Sequence, residues 1–263
     1  MAAKPNQHEL EQRLKGLLEQ ESFAPPAAFV EAAALNDPSI YAEAATDSPA
    51  WWGERALELD WFEPFTKTLD DSAAPFYKWF EDGKLNASHN CLDRHVDAGL
   101  GNRVAFHWFG EEGEQRDITY AELLADVKRA ANALKARGVG AGDVVGIYLP
   151  MIPEVVVAML ACARIGAPHN VVFGGFSPES VRERMEVSKA KAIFVPDGAR
   201  RKGKTAPVKA EVDASMGELK DLETIFVVRN TGIDTPMTEG RDVWLDEICA
   251  EVDAECPAEP LGA

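Results

Sequence analysis

Four short apolar runs set the limits on this chain: Val144–Leu149, Val171-Val172, Ala192–Val195 and Thr224–Val228. Val144–Leu149 has the length of a strand buried on both faces, Val171-Val172 reads as a short strand, and the other two read as strands again. Between them lie stretches with helical spacing. Pro153 opens one that carries Val155, Val156, Met159, Leu160 and Ala163 to a stop at Gly166. Ser177-Pro178 opens another, with Val181 and Met185 on one face. Strands alternating with helices at this spacing predict βαβ units and a mostly parallel sheet with flanking helices, an α/β fold.

Upstream of these runs the pattern differs. Arg103 to Phe109 reads as a strand, Glu111–Glu114 as a turn and Arg116 to Thr119 as its hairpin partner. Thr119-Tyr120-Ala121-Glu122 is a capping box. It opens a helix whose apolar face is Leu123, Val127, Ala130, Ala131 and Leu134 and which stops at Gly138. Residues 5–22 read as a charged helix with Leu10, Leu14, Leu17 and Leu18 at helical spacing. Residues 27–46 read as a second helical stretch with a turn at Asn36-Asp37-Pro38. The segment from Trp51 to Phe80 holds nine of the chain's 22 aromatic residues and predicts a lid whose rings pack onto a larger body. Val243 to Val252 reads as a helix, after which residues 253–263 trail off.

Composition excludes several function classes. The net charge of −17 repels phosphate backbones and anionic lipid surfaces, so nucleic-acid and membrane partners are not expected. No stretch approaches the ~20 apolar residues of a membrane helix, and the N-terminus has no apolar segment of signal-peptide type, which points to the cytoplasm. Cys91, Cys162, Cys249 and Cys256 form no CxxC pair and are expected as reduced thiols. Asn86-Ala87-Ser88 matches a glycosylation sequon, which carries no weight without secretion. No GxxxxGK[ST] and no GxGxxG occurs, so the sheet reads as one that has not been completed.

Two features could carry chemistry. In Phe173-Gly174-Gly175-Phe176-Ser177-Pro178, paired glycines between a strand and a helix permit close approach of a backbone or ligand. A tight βα turn explains them equally well. Arg200-Arg201-Lys202-Gly203-Lys204, with Lys209 downstream, concentrates cations around a glycine after the Ala192–Val195 strand. Such a cluster suits a phosphate, or is a solvated loop. His107, flanked by Phe106 and Trp108, reads as structural rather than as a base, and His169 as fixing a neighbouring turn. Asp60, Asp93 and Asp97 give no paired-carboxylate signature, and no metal site or catalytic residue is assigned.

Longer strings carry a resemblance. Residues 77–96, from Tyr77-Lys78-Trp79-Phe80 through Asn90-Cys91-Leu92-Asp93-Arg94-His95, closely resemble the opening segment of the AMP-forming acetyl-CoA synthetases (acetate–CoA ligases) of the adenylate-forming superfamily. Ile147–Glu154, Met159–His169 and Val171–Ser177 resemble the next segments, and Trp61-Phe62-Glu63-Pro64-Phe65 resembles the family's N-terminal cap. The likeness is strong from about Ile40 to Lys209 and looser beyond.

What the resemblance implies is a partial AMP-binding fold preceded by a mostly helical, aromatic-rich cap. It divides the chain into a helical tail (1–24), the cap (25–86) and the first part of the AMP-binding domain (87–263). It implies a two-step ligase: acetate and ATP, with Mg2+, give acetyl-adenylate and diphosphate, and CoA then gives acetyl-CoA and AMP. By the same likeness Phe173, Gly174 and Gly175 lie along the pantetheine arm of CoA. Arg201, Lys202, Gly203 and Lys204 hold its 3′-phosphate, with Lys204 standing for an arginine and Asn170 for a serine. The sites for ATP and Mg2+ fall outside this chain, whose partner is then the remaining C-terminal part of the enzyme. A short-chain acyl-CoA synthetase specific for propionate and a non-catalytic CoA-binding half-domain are the alternatives, and the chain alone is expected to be inactive.

Overall fold

Residues 7–18, 22–216 and 219–263 are described by a computed structural model. They divide into two compact units, residues 1–52 and 53–263.

The first unit is helical. It holds α1 (Gln7–Leu18), α2 (Ala27–Glu31), α3 (Ser39–Thr46) and the start of α4 (Ser48–Ala56). The leucines of α1 share a face, as the spacing predicts, and all four are exposed. The expected ends of that helix at residues 5–6 and 19–21 lie outside the described residues. The turn expected at Asn36–Pro38 separates α2 from α3, where the Asp37 carboxylate accepts from the Ser39 N–H at 2.9 Å.

The second unit begins with short pairings, β1 (Leu69–Asp70) with β2 (Lys78–Trp79), followed by β3 (Lys84–Leu85) and two π-helical turns at His89–Asp93 and Val96–Leu100. The aromatic lid expected here is only partly one. Trp61, Phe65 and Phe80 pack on each other with centroids 4.8–5.8 Å apart, and the Trp61 indole donates to Ala56 O at 2.8 Å. Phe76 and Tyr77, by contrast, stand 79% and 57% exposed. Phe62 adds a ring contact to His89 at 5.2 Å and Trp79 one to Phe80 at 5.9 Å.

The hairpin β4 (Val104–Phe109) and β5 (Gln115–Thr119) leads into α5 (Tyr120–Ala136), whose capping box forms as the sequence predicts. Every member of its expected apolar face is buried. Then come β6 (Val145–Ile147), α6 (Pro153–Arg164), β7 (His169–Val171), α7 (Pro178–Ser188), β8 (Ala192–Pro196), the hairpin β9 (Ala199–Arg201) with β10 (Lys204–Ala206), α8 (Val208–Met216) and β11 (Thr224–Val228). The chain closes with β12 (Asp242–Trp244), α9 (Leu245–Glu251) and β13 (Leu261–Gly262). Five strands form one sheet in the order β12-β11-β8-β6-β7, every neighbouring pair parallel.

Strand alternation then sorts the core. Ile147, Phe194, Phe226 and Val228 face α5 and α6, and Phe194 stacks on Phe226 at 5.0 Å. Ile193, Val195, Ile225 and Val227 face Val181 and Met185 of α7 and Val212 and Met216 of α8. Two expectations need correction. The short strand is His169–Val171 rather than Val171-Val172, so His169 belongs to the sheet, paired with Val145. Val243 and Trp244, read as the start of a helix, instead lie in the edge strand β12, and the helix begins at Leu245.

A polar staple ties the early and late parts of this unit to α6. Arg164, 1% exposed, donates two hydrogen bonds to the Asp93 carboxylate at 2.8 Å and one to Cys256 O at 2.5 Å. The Asn86 amide donates to Ala163 O, Arg164 O and Glu259 O, and its oxygen accepts from the N–H groups of Ser88 and His89. β13 pairs antiparallel with β3 beside it. Asp93 is thus a structural carboxylate. Burial opposes its charge, but the Arg164 guanidinium outweighs burial and holds the carboxyl below its ordinary range.

Candidate functional site

Because all five strands of the sheet run the same way, the segments that follow them emerge at one edge, the usual place for a crevice in an open α/β sheet. After β7, Val172 is buried and residues 173–177 are exposed. The bend closes with the Phe176 N–H on Phe173 O at 3.0 Å. Ser177 caps α7, its hydroxyl accepting from the Ser180 N–H. Gly174 lies against the backbone of Leu149 and Pro150. A Cβ at Gly175 would stand 2.5 Å from the Phe173 ring, which folds over it. The second glycine therefore makes room for the bend's own phenylalanine.

The basic run after β8 is a hairpin. Lys202 and Gly203 both have positive φ, +51° and +71°, the two-residue turn that matches the twist of the flanking strands. Its register places Arg201 opposite Lys204 and Arg200 opposite Thr205. Residues directly opposite share a face, and successive residues alternate. Arg201 and Lys204 therefore stand together on one face, and Arg200 on the other.

That division has an electrostatic counterpart. Arg200 is paired with Glu112 at 3.3 Å and Glu114 at 3.1 Å in the β4–β5 turn, which anchors the hairpin. Arg201, Lys202 and Lys204 are exposed and make no ion pair among the described residues. Arg200 is thus spoken for, and Lys209 is not part of the rim at all. Lys209 is fully buried, with Nζ 2.5 Å from Asp213, 2.7 Å from Asp242 and 3.2 Å from Pro236 O. Arg241 donates to the same two carboxylates. A sequence run cannot distinguish a cation in a loop from one on the inner face of the next helix.

Two residues that the sequence reading passed over organise this edge. The buried Asp197 carboxylate ends β8 and accepts from the N–H groups of Gly198, Asn230, Thr231 and Gly232 at 2.5–3.2 Å. It fixes the loop after β11 against the base of the hairpin. An Asp-Gly pair straight after a fully apolar strand was the available signal. Gly198 has no room for a side chain, since a Cβ would stand 2.6 Å from Thr231 Oγ1 and 2.8 Å from Ala206 O. The other residue is Tyr148, just past β6, whose hydroxyl donates to Phe176 O at 2.9 Å. Burial raises its phenol above the ordinary value. The charge of Glu211 adds to that shift, and the charge of Arg201 acts against it. Tyr148 touches the bend and feels the hairpin.

The histidines stay outside this edge's chemistry. His107 Nδ1 lies 2.6 Å from Asp117 on the exposed β4–β5 hairpin. Burial lowers the pKa of His169 within β7. All four cysteines are free thiols. Among the described residues, no cluster of three or more His, Cys, Asp or Glu could hold a metal ion, and no helix is long and apolar enough to cross a membrane.

Comparison with known proteins places these features in a family context. A family profile described as AMP-binding enzyme matches residues 92–260, and one described as Acetyl-coenzyme A synthetase N-terminus matches residues 38–91. The acetyl-coenzyme A synthetase of Streptomyces avermitilis is 50% identical over 247 residues, which is 94% of this chain and 38% of that protein. That of Mycolicibacterium smegmatis is 50% identical over 235 residues, 89% of this chain and 25% of the relative. That of Rubrobacter xylanophilus is 47% identical over 241 residues, 91% and 37%. The chain therefore spans well under half the length of these curated relatives.

Proposed function

This chain belongs to the AMP-binding enzyme family, and from that premise we propose that it supplies the coenzyme-A-facing front portion of an acetate–CoA ligase. The reaction is the activation of acetate by ATP with Mg2+, followed by transfer of the acetyl group to the thiol of CoA. Residues 1–24 form a tail, 25–86 the cap and 87–263 the first part of the AMP-binding domain. The protein acts in the cytoplasm.

Within that reaction this chain's residues bind and orient. Phe173, Gly174 and Gly175 offer an exposed bend, with the Phe173 ring over Gly175, along which a pantetheine arm lies. Arg201, Lys202, Gly203 and Lys204 present a cationic tip to the 3′-phosphate. The observation that carries this reading is the hairpin register, which sets Arg201 and Lys204 side by side without ion-pair partners among the described residues while Arg200 is neutralised behind them. In a chain of net charge −17, unpaired cations facing one way suit an anion.

Calorimetric titration of the chain with CoA tests it. The Arg201→Ala/Lys204→Ala double variant should bind CoA at least tenfold more weakly, since charge-assisted hydrogen bonds contribute about 1.5–3 kcal/mol each. Equal affinity of variant and parent would mean the hairpin is only solvated.

A further inference from the structure

A fourth cation stands at the same edge, on the helix that follows the bend. Arg184 of α7 places its guanidinium 4.9 Å from the centroid of the Phe176 ring. It is exposed and has no ion pair among the described residues, whereas its neighbour Arg182 is paired with Glu186 at 3.6 Å. Phe176 is itself fixed, its carbonyl by the Tyr148 hydroxyl at 2.9 Å and its ring edge-on to Phe173 at 6.0 Å. Arg184, Phe176 and Tyr148 thus form a continuous series from α7 across the bend to the end of β6.

We propose that Arg184 is a further binding residue of this edge and contacts the diphosphate of coenzyme A. The inference rests on the CoA reading above and adds a residue to it. In CoA the diphosphate lies between the pantetheine arm and the ribose that bears the 3′-phosphate. A ligand whose arm follows Gly174-Gly175 and whose 3′-phosphate meets Arg201 and Lys204 brings its diphosphate past the bend, where Phe176 holds Arg184. An aromatic face steers a guanidinium without consuming its N–H donors, which stay free for phosphate oxygens. The planar fork suits two such oxygens at once.

The test titrates the chain with CoA, dephospho-CoA and pantetheine in the parent, Arg184→Gln and Arg184→Lys forms. The Gln variant should lose about tenfold in affinity for both CoA and dephospho-CoA, with pantetheine and the thermal midpoint unchanged. The Lys variant should recover part of the loss, keeping charge without the fork. Unchanged CoA affinity in the Gln variant overturns the assignment. So does a loss confined to CoA, which would put Arg184 on the 3′-phosphate, and so does a loss extending to pantetheine, which would make its role structural. Failure of the parent to bind CoA would instead remove the underlying reading, and this inference with it.

Discussion

The hydroxyl of Tyr148 donates to the carbonyl oxygen of Phe176 at 2.9 Å, joining the end of β6 to the glycine bend that follows β7. Neither strand's own ladder reaches that far, so one phenol fixes where the bend stands relative to the sheet. Tyr148→Phe removes the bond and little volume. The expected result is a threefold to tenfold loss of CoA affinity, the worth of about 0.5–1.5 kcal/mol for one hydrogen bond, with the fold retained. Undiminished affinity would show that the bend needs no tether.

The same group has a pH signature. Its phenol is raised above the usual tyrosine value, so the folded chain favours the protonated donor. The bond's contribution is complete below the unfolded pKa of ~10 and is lost as pH rises through the folded value. The phenolate absorbance missing from Tyr148→Phe should therefore develop later in an alkaline titration than that of an ordinary tyrosine. Development at or below the ordinary value contradicts it.

Arg164 is buried and Asp93 half-buried against it, so removing the carboxylate strands a buried guanidinium charge. Asp93→Asn or Arg164→Met should lower unfolding stability by roughly 3–5 kcal/mol, read from denaturant midpoints. Asp93 is held below its ordinary range, so its contribution is present above the unfolded pKa of ~3.9 and is lost as pH falls through the folded value. Asp93→Asn should flatten that acid limb. A variant as acid-sensitive as the parent would show that another carboxylate carries the effect.

Thiol labelling probes burial directly. Cys91 is exposed, whereas burial pushes the thiol of Cys162 up to about 12 and that of Cys249 up to about 11. Only thiolates react. In the native chain maleimide should modify Cys91 first, with Cys162 and the buried Cys256 modified only after unfolding. Rapid native labelling of Cys162 would contradict the packing of α6.

The nucleotide half-reaction gives a prediction of absence. The chain carries no glycine-rich phosphate-gripping motif of the GxxxxGK[ST] kind. Incubated with ATP, Mg2+ and acetate, it should release no diphosphate above a heat-treated control. Sustained release would refute the assignment of residues 87–263 to a front portion only.

The parts of this fold that follow from periodicity were readable in advance. The capping box at Thr119, the apolar stripe of α5 and the strand cores around Ile147, Phe194 and Phe226 depend on residues within one turn or one strand, and each formed where expected. Val243-Trp244 was misread because so short a strand gives no period, and the neighbouring Asp242 is buried against Lys209, Arg241 and the Thr238 N–H. Lys209 was misread for the reciprocal reason. Of the edge residues, the bend and the hairpin are visible as glycine and charge patterns. Tyr148, Asp197 and Arg184 act through partners 28, 33–35 and 8 residues away respectively, and only the folded chain brings those partners together.

The segregation of cations on the hairpin also bears on kinetics. At separations beyond a Debye length, ~8 Å at physiological ionic strength, an approaching anion meets the field of a strongly negative body rather than that of Arg201, Lys202 and Lys204. Added salt should therefore speed its arrival while shortening its stay, so that capture and retention respond to ionic strength with opposite signs.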